Sequence, residues 1–181
     1  MAARRAHDDR LLDALSAVKP AKYARAVWRV VRVGRSPLDG ARGAGRWNPA
    51  DLSVLYCAEE RDGALAEIHF HLSRGQPVFP SRLEHTLWEV RASLARALKL
   101  LDLDRLEALG VEAARWRELL YNRTQEIGAA AAFLGFDGLI APSARFDGAN
   151  VVIFLDNAGR GAVNEGASET VDWPAFVARR R

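Results

Sequence analysis

Arg46, Tyr56 and Glu67 fall within one stretch of the chain, GAGRWNPADLSVLYCAEERDGALAEIHFHL, residues 43–72. A glycine-flanked arginine comes first, then a tyrosine near the end of an apolar run, then a carboxylate among residues with helical spacing. Taken alone, Glu67 reads as a boundary residue. Ala64, Leu65, Ile68 and Leu72 define a buried stripe, and position 67 lies at its border with its head group in water. Beside Arg46 and Tyr56 it has a second use. A carboxylate, a phenol with an aromatic face and a guanidinium together suit a molecule in which a cationic leaving group is joined to an anionic tail.

Other chemistries fit these residues less well. Glu67 and His71 stand four apart on the predicted helix, a spacing that can place two ligands on one metal, but His69 falls off that face and no third ligand is evident. No metal site is expected. Cys57 ends an apolar run, where a buried thiol is the commoner explanation, and no G-x-S-x-G elbow occurs. The glycines at 40, 43 and 45 precede a strand instead of opening a helix, which excludes the P-loop and dinucleotide fingerprints. The net charge of +3 is too small to argue for nucleic acid by itself. Between Lys19 and Arg46, however, eight Lys or Arg residues accompany one acid, Asp39. That stretch could meet phosphates, and reads for the most part as a solvated surface.

The elements that must position these groups follow from periodicity. DDRLLDALSAV (8–18) reads as an amphipathic helix with acids in its first turn, and RAVWRVVRV (25–33) as a strand carrying Arg25 and Arg29 on one side. Glycines and prolines make 34–50 a loop, LSVLYCA (52–58) a second strand follows, and 60–75 is a helix ended by glycine. After a proline-marked turn between 75 and 85, strands are expected at 85–93 and 97–103, the second with some helical character. Residues 111–135 form the longest helical pattern, with a break near Tyr121–Arg123; 137–143 and 150–156 are short buried strands. The tail is polar, with a last helix around WPAFVARRR whose Trp173, Phe176 and Val177 would serve an interface or pack on the parent domain. Irregular interleaving of strands and helices argues for one α+β domain spanning 1–181. Without a signal peptide pattern or a spanning apolar run, and with a single cysteine, a soluble cytoplasmic protein is expected, with no membrane association.

Nicotinamide adenine dinucleotide has the build that Arg46, Tyr56 and Glu67 suit, with a pyridinium at one end and a pyrophosphate in the middle. The block GRWNPADLSVLYCAEERDGALAEI, followed by TQEIG, FDGLIAPSARFDGAN and VVIFLDN, resembles the RES-domain family of bacterial toxins. The resemblance runs from about 28 to 157 and leaves out the N-terminal helix and the tail, 158–181. On the family pattern Arg46, Glu67 and Ser143 fall on the naming Arg, Glu and Ser. Tyr56 falls on the intervening tyrosine, Arg29 on an upstream arginine, and Asn150 on an asparagine near the C-terminal strand. Ala50–Asp51 depart from the pattern, where a glycine is common.

The resemblance implies an ADP-ribosyltransferase-like fold, with two small, mainly antiparallel sheets forming an NAD cleft among helices. It implies a toxin that consumes NAD as substrate, releases nicotinamide and passes ADP-ribose to a protein, to water or to phosphate, with a cognate Xre-like antitoxin as partner. Glu67, with Arg46 and Tyr56, would form the catalytic set; Arg46 and Arg29 would hold the pyrophosphate, Tyr56 would stack on the nicotinamide, and Ser143 and Asn150 would contact the ribose or amide. A homodimer and a protein target of ADP-ribosylation are compatible with this; direct nucleic-acid contact is not expected. Two other classes stay open: a nucleic-acid-binding module using the basic stretch, and an inactive interaction domain on the same fold.

Overall fold

The computed structural model describes residues 7–41, 43–75 and 83–180. The expected proline-marked turn lies outside the described residues. Helix α1 (Asp9–Ser16) starts where Asp8 accepts hydrogen bonds from the amides of Arg10 and Leu11, and it buries Leu11 and Leu15, one turn apart. There follow β1 (Ala21–Arg32), β2 (Val54–Ala58), α2 (Arg61–Ser73), β3 (His85–Lys99), α3 (Leu103–Ala108), α4 (Asn122–Phe133), β4 (Gly138–Pro142), β5 (Ala149–Phe154), β6 (Val163–Thr170) and α5 (Trp173–Ala178).

The α+β class is observed, and the sheet is mainly antiparallel, with only β3 and β4 running parallel. In place of two small sheets there is, among the described residues, a single six-stranded one, in which β1, β2, β5, β4 and β3 close into a barrel through the β1–β3 pairing. The length of β3 makes this possible. One edge pairs with β1 from His85 to Ala97; the other pairs with β6 over Thr86–Ala92 and then with β4 over Ala97–Lys99. Between those two partners the amides of Ala95 and Arg96 donate to the Asp137 carboxylate, at 2.6 and 3.0 Å, so no backbone donor is orphaned there. The two strands expected at 85–93 and 97–103 are therefore one strand ending at Lys99, and the helical character beyond it belongs to α3.

Residues alternate across the barrel wall. Val27, Leu55, Cys57, Val90, Leu94, Ile140, Val151 and Ile153 form one buried cluster, which fills the barrel. Val54, Leu98, Leu139, Val152 and Phe154 share a second with α1 and α4. Against a third wall, Val30, Ala58 and Leu87 pack with Leu65 of α2 and with Trp173 and Phe176 of α5. The tail thus supplies core: both aromatic residues are 2 % exposed. The helical pattern of 111–135 resolves into a 3₁₀ turn at Ala113–Arg115 and α4, broken at Tyr121 as the spacing predicts. Among the described residues no helix is long and apolar enough to cross a membrane.

Candidate active site

A cleft of about 460 Å³ opens beside the barrel between the loop at 43–48, one face of α2, Tyr121 and the segment after β4. Its loop wall is built around Asn48, which is fully buried. The Asn48 amide nitrogen reaches the carbonyls of Gly43, Pro49 and Leu52 at 3.0–3.1 Å, and its oxygen accepts from the Tyr56 hydroxyl at 2.8 Å. That hydroxyl accepts in turn from the Trp47 amide at 2.9 Å. Burial pushes the Tyr56 phenol far above its ordinary pKa, which keeps the proton it donates to Asn48. Gly45 lies so close to Tyr56 that a β-carbon there would stand 2.6 Å from the hydroxyl oxygen. The turn that follows closes from Leu52 N to Pro49 O with no left-handed residue, so Ala50 and Asp51 serve without the glycine the family pattern favours.

Arg46 projects from this loop between two rings. Its guanidinium lies 4.5 Å from the Trp116 ring centre and 4.7 Å from that of Tyr121, and one nitrogen donates to the Glu118 carbonyl at 3.0 Å. Burial lowers its pKa, yet an arginine this placed remains a cation. Among the described residues it has no carboxylate partner. Arg29 has a different situation: it donates to the Tyr56 and Asp39 carbonyls at 3.0 and 2.8 Å, tying β1 to β2 and to the loop while lining the cleft. Arg25 and Arg29 share one side of β1 in unbroken register, as expected, but differ in contacts, Arg25 lying 3.7 Å from Glu59.

On the opposite wall, α2 presents Glu67. Ser143 donates its hydroxyl hydrogen to Glu67 Oε1 at 2.6 Å, and the Asn150 amide donates to the same oxygen at 2.8 Å. Ser143 Oγ meanwhile accepts from the amides of Arg145 and Phe146, so the hydroxyl is oriented before it meets the carboxylate. Oε2 makes no hydrogen bond among the described residues. Tyr56, Asn150, Arg29, Arg46 and Glu67 all line the cleft, with Ser143 bonded behind Glu67. Further lining residues carry chemistry the sequence reading passed over or used otherwise, among them Arg145, Arg74, Tyr121 and His71. Arg145 stacks 3.5 Å over Phe70 and donates to the Arg117 carbonyl; its signal was its place two residues after Ser143. Among the described residues four guanidiniums, from Arg29, Arg46, Arg74 and Arg145, line the cleft with one carboxylate. Its field favours an anion. Among the described residues no group of three or more His, Cys, Asp or Glu is placed to hold a metal ion.

The RES domain family model matches residues 26–174. The chain belongs to the RES domain family. The match includes β6, beyond the point at which the sequence motifs end. No curated protein matches this RES-domain chain in sequence. The toxin chain in the crystal structure of the M. tuberculosis MbcT–MbcA toxin–antitoxin complex shares its fold, with a TM-score of 0.83 over 96% of this chain and 98% of that one, at 20% identity.

Proposed function

We propose that this RES-domain protein is the toxin of a toxin–antitoxin pair and that it cleaves the nicotinamide–ribose bond of NAD, passing ADP-ribose to an acceptor. The observation that carries the reading is Glu67, anchored through one oxygen by Ser143 and Asn150 while its carboxylate lines a cleft rich in guanidiniums and aromatic rings. Breaking this bond builds oxocarbenium character on the ribose, as glycoside cleavage does. Nicotinamide leaves neutral from a cation, so no general acid is required. A preorganised carboxylate beside the ribose supplies the stabilisation, with Oε2 the oxygen available to the sugar. Arg46, held between Trp116 and Tyr121, offers its remaining donors to the pyrophosphate. Arg29 spends two donors on backbone carbonyls, so its part is to hold the cleft wall and add positive potential. Tyr56 offers its ring to the pyridinium, its hydroxyl being engaged by the loop.

On this reading the barrel and its helices are an ADP-ribosyltransferase-like architecture, and the partner is an Xre-like antitoxin that blocks the cleft. The nucleic-acid reading loses ground. Arg25 lies beside Glu59, Arg35 pairs with Asp39 at 2.8 Å, and Arg29 is turned into the structure. Incubation of the purified protein, free of antitoxin, with NAD tests the proposal, with nicotinamide followed by chromatography and Glu67→Gln in parallel. Release by the wild type alone is expected. Folded protein that releases no nicotinamide with water, phosphate or cell lysate as acceptor would sink the enzyme and leave an interaction domain.

A further inference from the structure

Three of the four histidines are packing residues. His7 lies 4.9 Å from the Phe133 ring, His69 sits against Trp173 and Phe176, and His85 meets the Leu83 carbonyl and the Trp173 indole. His71 differs. It lines the cleft one helical turn beyond Glu67, and its ring nitrogens make no hydrogen bond among the described residues. Four residues of α-helix advance about 6 Å, which keeps both side chains on one face and leaves room between carboxylate and imidazole for an attacking atom.

We propose that His71 is the general base of the reaction proposed above, so that the acceptor is a neutral nucleophile with a proton to lose: water or a hydroxyl group. The electron pair of the C1′–N bond leaves with nicotinamide. A lone pair of the acceptor oxygen forms the new bond to C1′, and the acceptor proton passes to the imidazole and on to solvent. Glu67 is poorly suited to that task, because a proton on its carboxylate would remove the charge that stabilises the ribose cation. A separate base keeps Glu67 ionised through the whole event.

The surroundings favour the neutral imidazole, the form that accepts a proton. Burial lowers the His71 pKa; the Glu67 carboxylate acts in the opposite sense, and Arg74, Arg145 and Arg46 lower it again. Because the folded pKa lies below the ordinary histidine value, base function is present at neutral pH and is lost as pH falls through that lowered value.

The test compares wild type with His71→Gln and His71→Ala from pH 5 to 9, using NAD and following nicotinamide, free ADP-ribose and labelled protein. The expected result is a kcat about a hundredfold lower in His71→Gln, within the usual range for general-base catalysis, while KM for NAD stays within about twofold. The histidine acid limb disappears, and added imidazole restores His71→Ala. Free ADP-ribose identifies water as the acceptor, and a labelled band identifies a protein hydroxyl. A His71→Gln enzyme with wild-type kcat and pH profile overturns the role of His71 while leaving the NAD reaction standing. Wild-type protein that releases no nicotinamide removes both.

Discussion

At Glu67 the two carboxylate oxygens have different neighbours, and that asymmetry shapes what each substitution does. Oε1 holds hydrogen bonds from Ser143 and Asn150, which Glu67→Gln can keep in part by reorienting its amide. The variant should therefore fold with unchanged circular dichroism and lose about a hundred- to a thousandfold in nicotinamide release, the usual loss for a preorganised electrostatic group. Arg46→Lys keeps the charge and discards the planar fork between Trp116 and Tyr121. A hydrogen bond to a charged group contributes about 1.5–3 kcal/mol, so losing one donor to the pyrophosphate should weaken NAD affinity at least about tenfold on titration. Arg46, Tyr56 and Glu67 were named together because of their residue types, their spacing and the family pattern; Glu67 alone reads as a boundary residue. Arg145 and Trp116 were not, since an arginine in a loop and a tryptophan on a helical stripe each have ordinary explanations until Phe70 and Arg46 are seen beneath them.

The elements hold the site through close approach. Helix α4 lies on the cleft loop at Gly128, where a β-carbon would stand 1.8 Å from the Trp47 carbonyl oxygen, and Gln125 of the same helix donates to the Gly45 carbonyl at 2.8 Å. Gly128→Ala forces the helix off the loop that carries Arg46. Urea denaturation should show a loss of about 3 kcal/mol or more, since backbone has no rotamer with which to yield. Asn48→Ala removes the side chain that joins three carbonyls and the Tyr56 hydroxyl, leaving buried acceptors unpaired; about 3 kcal/mol is expected in the same measurement. Both sites sit in sequence that reads plainly. Gly128 lies within an alanine-rich helix and Asn48 within a loop. Helix existence and approximate bounds followed from periodicity for α1, α2 and α4, and strand identity for β1, β2, β4 and β5. What periodicity could not carry is which backbone lies against which.

At the scale of the whole molecule, closure of five strands protects the wall on which the cleft is built, whereas β6 pairs on one side with β3 and has mostly exposed side chains. Native-state hydrogen exchange should accordingly be slowest in β3, β4 and β5 and faster along β6. The polar tail is tied down by its aromatic residues. Trp173→Ala opens the wall beneath α2 and should cost about 3–5 kcal/mol, read as a lower midpoint in chemical denaturation.

The amino-acid sequence by itself determined the α+β class, the order of most elements and the family pattern from which the candidate site residues were named. These rest on side-chain type and on spacing along the chain, which are local properties. Tertiary structure decided the rest. One long strand paired with β1 on one edge and with β4 on the other closed the barrel, a strand from the polar tail added to its outer edge, and residues far apart in sequence met to orient a carboxylate. Such outcomes depend on which surfaces fit across long chain separations, and no local pattern carries that information.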